Sequence, residues 1–178
     1  ESDVVAFKYA GDFYGVAKML VESFQGHSIP TDGLIPDDRG YSLVDTYGCI
    51  KSPKALIVRT RDISVFDDND IEKFSVDTLR ILETIAPNIN HLALTIHGRY
   101  LFPEKDEIMI VRKQLDSIIK TLSKGDAPLF LRRITIVEID SEYVLRLQIG
   151  LEHYLRNYGK PFENGWGFLL NPKYVGAE

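Results

Sequence analysis

A single cysteine in 178 residues, Cys49, excludes an internal disulfide and fits a reducing compartment such as the cytoplasm. There is no basic excess either. Lys and Arg number 21 against 26 Asp and Glu, and the resulting net charge of -5 makes duplex nucleic acid a poor partner. No apolar run approaches the ~20 residues that span a bilayer. Paired-cysteine metal motifs, His-Glu-x-x-His, a Walker loop and Gly-x-Ser-x-Gly are all missing, so neither a metal nor a catalytic residue is expected. Internal repeats and low-complexity stretches are missing too. What is present is an ordinary globular balance, 44% hydrophobic and 26% charged, in a length that suits one full-sized core. A single domain over residues 1–178 is therefore expected, with a core at 3–158 and an aromatic tail at 159–178. The abrupt start, almost directly on a strand, reads as the edge of a domain excised from a longer protein. Any membrane association would then come through a fused segment.

Strand and helix patterns alternate along the chain. Residues 3–9 (Asp-Val-Val-Ala-Phe-Lys-Tyr) read as a mostly buried strand. A turn with two glycines follows, then a helix with Ala17, Leu20, Val21 and Phe24 on one face. Residues 25–41 are loop-like, crowded with Gly, Pro and Asp, and an insertion of that length is commonly disordered or functional. A short edge strand is expected at 41–46 and a central strand at 55–59. Asp68 or Asn69 is placed to cap a helix reaching Ala86, with Ile71, Phe74, Thr78, Leu82 and Ile85 at helical spacing. A strand at 91–96, ending at Thr95-Ile96, is followed by a helix from about 104 to 123. Another strand spans 134–139, and Asp140-Ser141 caps a last helix with Val144, Leu147, Leu151 and Leu155 inward. Cys49 reads as a small buried filler. Alternation of this kind specifies an α/β fold of three layers, helices on both faces of a largely parallel sheet.

In such sheets ligands sit beyond the carboxyl ends of the strands. Two glycine loops fall there. The first is Ala10, Gly11, Asp12, Phe13, Tyr14 and Gly15. The second follows Thr95 and carries His97, Gly98, Arg99, Tyr100 and Phe102. A strand that breaks at glycine and feeds a helix aims backbone N–H groups at one spot, a ready anion site. Gly98 lets an oxyanion approach the backbone, and Arg99 can pair with it bidentately; a plain turn and a solvated charge are the alternative. Tyr100 and Phe102 would wall a ribose or base, or else form a lid packed on the core. Asp12 would accept from an adenine amino group or a ribose hydroxyl, or else cap the first helix. His97 is either a ligand contact or a strand cap, Gly48 a distal contact or a turn glycine, and Asp140 a helix cap that also reaches a nucleoside.

The order and spacing of these pieces resemble a divergent macro domain over residues 3–158. Gly48-Cys-Ile with Ala55-Leu-Ile-Val58 resembles the family's glycine turn and following strand. His91-Leu-Ala-Leu-Thr-Ile-His-Gly98 with Arg99-Tyr-Leu-Phe-Pro103 resembles its strand and phosphate-binding loop, and Ile134-Thr-Ile-Val-Glu-Ile-Asp140 its last strand, beside the adenosine. The resemblance implies a three-layer macro-like fold and an ADP-ribose-type ligand held by the residues named above, with no other cofactor. The family's hydrolases carry an Asn-Ala-Asn-type segment where this chain has Lys8-Tyr-Ala-Gly-Asp-Phe-Tyr-Gly15. Arg99 replaces a small residue, and Ile139 stands where a phenylalanine stacks on adenine. These departures imply binding without hydrolysis. Domains of this sort occur in bacterial defence and signalling proteins, some membrane-fused, as in Thoeris-type effectors. That context implies a cytoplasmic sensor of an NAD-derived nucleotide that regulates a fused effector or an oligomer. A hydrolase, or a structural module without ligand, is the alternative.

Overall fold

The computed structural model describes residues 1–96, 107–138 and 141–157. Among these residues nine strands and α-helices follow in order: β1 (Val4–Tyr9), α1 (Val16–Gly26), β2 (Tyr41–Asp45), β3 (Lys54–Arg59), α2 (Asp68–Ile85), β4 (His91–Thr95), α3 (Glu107–Lys124), β5 (Arg133–Val137) and α4 (Ser141–Asn157). They are the elements the alternation predicts, in the predicted order. The strands form one sheet in the order β2-β3-β1-β4-β5. β1 is parallel to β3 and β4, and β4 to β5; β2 alone is antiparallel, on the edge. The middle strand is therefore β1, and β3 is an interior strand beside it.

Side-chain alternation along β1 decides which helix goes where. Val4 and Ala6 join Leu56, Val58, Leu92 and Leu94 in a core that takes Phe74, Leu79 and Leu82 from α2 and Ile118 from α3. Val5 and Phe7 point the other way, to Ala17, Leu20 and Phe24 of α1. A third cluster joins Ile110, Val111 and Leu115 of α3 to Tyr143, Leu147 and Tyr154 of α4, with Phe66, Ile71 and Ile96 at its upper end. Helices thus flank both faces, as the three-layer reading requires.

Local differences from expectation have simple causes. Helix α2 is capped by Asp67, not by Asp68 or Asn69: its carboxylate accepts from Asn69 N, and the Asp70 carboxylate in turn accepts from Asp67 N, closing a capping box. On α4, Leu147 is buried and Leu151 and Leu155 pack against the same cluster, as expected, but Tyr143 and Tyr154 join them there in place of Val144. The tyrosines win because Tyr154 can bury its ring while its hydroxyl donates to Asp116 Oδ1 at 2.7 Å. The segment between α1 and β2 packs rather than hangs free. Its short 3-10 turn Asp32–Leu34 buries Leu34 completely, and Arg59 Nη2 donates to the carbonyl oxygens of Pro36 and Asp37. No described helix is long and apolar enough to cross a membrane.

Candidate functional site

Because β3, β1, β4 and β5 run parallel, their carboxyl ends share one rim. Tyr9 pairs with Arg59, Ala6 with Leu94, and Thr95 with Val137. The loop at residues 10–15 and the connection from β3 to α2 therefore lie side by side. Thr60 N donates to Tyr9 O at 2.8 Å, and a methyl group added at Gly11 would sit 3.0 Å from Asp62 Oδ2.

The 10–15 loop needs both its glycines. Gly11 has φ +81° and Gly15 φ +53°, in the left-handed region that side-chain-bearing residues avoid. Ala10 is buried at the strand end; Gly11, Asp12, Tyr14 and Gly15 are exposed. Gly15 is itself the N-cap of α1, with no side-chain cap. The first turn of α1 thus opens toward solvent at the rim, with its partial positive charge unanswered by any acid in that turn. Among the described residues, no protein acceptor takes the amides of Gly11, Tyr14 or Gly15.

Asp12 does not cap α1; its Oδ1 accepts from Phe13 N at 2.7 Å. Phe13 folds back edge-on against Tyr9, ring centroids 5.0 Å apart, and packs on the α1-side core, while Tyr14 stays open to solvent. Of this pair, Tyr14 is the aromatic free to meet a ligand. Thr95 lies at the rim end of β4, but its hydroxyl is committed to Ala6 O at 3.2 Å, clipping β4 to β1. Gly48 is the residue that the structure separates from the rest. It lies in the turn between β2 and β3, at the end of β3 that pairs Lys54 with Val4, opposite the rim. An antiparallel β2 forces this, since the turn entering β3 must sit at its amino end. His97, Gly98, Arg99, Tyr100, Phe102 and Asp140 lie outside the described residues.

Sequence reasoning passed over the floor of the rim. Arg61 forks onto Asp70 through Nε and Nη2 at 2.7 to 3.0 Å and also reaches Asp67 at 2.6 Å. These hydrogen bonds raise the Arg61 guanidinium further above its ordinary range and hold Asp67 below the usual carboxylate range. The clamp fixes the β3–α2 connection and sets Phe66 under the rim. Above that ring, 4.7 Å from its centroid, lies Lys8 Nζ. The signal was a lysine at an alternation position shared with Val4 and Ala6, where an apolar side chain is expected. Among the described residues no group of three or more His, Cys, Asp or Glu is placed to hold a metal ion.

No protein-family model matches the sequence, and no curated protein matches it. Solved structures do. A mutant macrodomain of Oceanobacillus iheyensis superposes with a TM-score of 0.60 at 11% identity, covering 87% of this chain and 86% of that one. The fold is that of a macrodomain. The Oceanobacillus iheyensis macrodomain with MES bound gives a TM-score of 0.60 at 9% identity, over 87% of this chain and 86% of that one. The same macrodomain with ADP gives 0.59 at 9%, over 87% and 85%. The antiparallel edge strand, the mostly parallel sheet and the glycine loop at the end of β1 are thus features of a chain with the macrodomain fold.

Proposed function

We propose that this macrodomain-fold chain binds an ADP-ribose-type nucleotide at the rim formed by the loop after β1, and that it senses the nucleotide rather than hydrolysing it. One observation carries the reading: a two-glycine loop, whose Gly11, Tyr14 and Gly15 amides have no protein acceptor among the described residues, runs into a helix N-terminus without a side-chain cap at the carboxyl edge of a parallel sheet. That arrangement suits a diphosphate, whose charge meets the helix dipole while its oxygens take backbone N–H groups. Tyr14 offers a ribose or base an aromatic wall. Support also comes from the structural neighbour solved with ADP. The sensor role rests on the missing Asn-Ala-Asn-type segment and on the Asp12 carboxylate being engaged by Phe13 N. By the resemblance, the nucleotide is an NAD-derived signal and the output a fused effector in antiphage defence.

Isothermal titration against ADP-ribose, its conjugates, ADP and AMP tests this reading. Micromolar or tighter binding of ADP-ribose without turnover of an ADP-ribosylated substrate is expected. No heat and no thermal shift with any of the four would contradict binding, and steady release of ADP-ribose would contradict the sensor role.

A further inference from the structure

The sheet ends in two edge strands, and the chain treats them differently. β2 is partly covered by the segment before it: Asp37 N donates to Tyr41 O, and Ser42 Oγ donates to Gly33 O. β5 has nothing of the kind. Arg133 N donates to Asn90 O, and the register with β4 is unbroken from Arg133 to Val137. In a parallel ladder successive residues turn their N–H and C=O groups to alternate sides. Arg133, Thr135 and Val137 therefore bond β4, while Ile134 and Ile136 present their backbone groups outward. Among the described residues nothing bonds those outward groups. Such an edge is a template for another strand, and proteins commonly blunt it with proline, lysine or a covering segment. Residues 133–137, Arg-Ile-Thr-Ile-Val, have none of these and are β-branched at every position after the arginine.

The charges along this edge say what fits it. Arg132 and Arg133 lie at its amino end, both exposed, and neither has an ion-pair partner among the described residues. Glu138 follows its carboxyl end. A strand of the same sequence, laid antiparallel, brings each copy's arginines to the Glu138 of the other, and one two-fold axis satisfies both ends at once. We propose that β5 pairs antiparallel with β5 of a second copy of this chain, joining two five-stranded sheets into one. The register that matches the charges sets Thr135, which is exposed, opposite its own counterpart on the axis. Ile134 and Ile136 then exchange backbone hydrogen bonds across it. Leu129 and Phe130, 77% and 45% exposed in the turn before β5, add apolar surface where that turn reaches past the second copy's Glu138. This pairing does not rest on nucleotide binding.

Sedimentation equilibrium from about 1 μM to about 1 mM, with hydrogen exchange at the Ile134 and Ile136 amides, tests this. A species of twice the chain's mass is expected, with both amides becoming protected as it forms. Thr135→Lys sets two ammonium groups against each other on the axis, at the expense of one hydrogen bond to the His91 ring. It should raise the dissociation constant about fivefold or more with the circular dichroism spectrum unchanged. Glu138→Arg should also weaken the pair, and adding Arg132→Glu and Arg133→Glu should restore it. A monomer at every concentration overturns the proposal: protected Ile134 and Ile136 amides would then assign the edge to the chain's own residues, and unprotected ones would leave it to a different protein. A dimer indifferent to Thr135→Lys and to the charge exchange forms through another face and overturns it equally.

Discussion

Gly11 and Asp3 show how single residues separate the two ends of the sheet. Replacing Gly11 with Ala forces a side chain into φ +81° and a methyl to 3.0 Å from the Asp62 carboxylate. A cost of about 1–2 kcal/mol in stability is expected, with nucleotide affinity falling further than stability, measured by thermal melts and titration calorimetry. At the opposite end, Asp3 Oδ2 accepts from the amides of Asn90 and His91, and these bonds hold its carboxyl below the usual range. His91 is lowered, chiefly by burial, with its ring between Glu1 O and the Thr135 hydroxyl. Both folded-state shifts are downward, so both groups contribute stability above their unfolded values and lose it on acidification. Stability should fall as pH drops below about 6.5 through the His91 window, and again below about 3.8 through that of Asp3. Denaturant melts from pH 8 to 3 check this; Asp3→Asn should flatten the lower step and leave nucleotide binding unchanged.

Helix α2 is where composition and structure agree most closely. Ile71, Phe74, Thr78 and Leu82 repeat at helical spacing and are all buried, so Phe74→Ala should cost about 3–5 kcal/mol in chemical denaturation. Its start was less legible, because three consecutive residues, Asp67, Asp68 and Asn69, are all good caps, and only the reciprocal bond from Asp70 selects Asp67. The same limit applies to α4. Leucine periodicity found Leu147, Leu151 and Leu155 on the packed face, but not Tyr154, whose hydroxyl finds Asp116 on α3, a partner 38 positions earlier that periodicity cannot see. Tyr154→Phe should lower the melting temperature modestly. Tyr154→Ala should lower it far more, because the ring and not the hydroxyl fills the α3–α4 interface.

For the whole molecule, the alternation of strand and helix was enough to give the element order and a largely parallel sheet with a short edge strand; that the edge strand is antiparallel came from its pairing. The alternation placed the loop after β1 on the rim, because the loops that follow parallel strands all leave from the carboxyl side of the sheet. It left Gly48 open between a distal contact and a turn glycine, since such a glycine reads alike at either end of a strand; pairing puts it in the β2–β3 turn, opposite the rim. It also missed Lys8, whose long side chain looks surface-like until burial is known. The two ends of the sheet make opposite claims about where a nucleotide goes. Amide NMR of the labelled chain titrated with ADP-ribose measures this directly. Shifts concentrated at Gly11, Asp12, Tyr14, Gly15 and Val16, with Gly48 and its turn unmoved, are the expected result. Saturating ADP-ribose that leaves those amides in place, or that moves the Gly48 turn instead, would contradict nucleotide binding at the carboxyl rim.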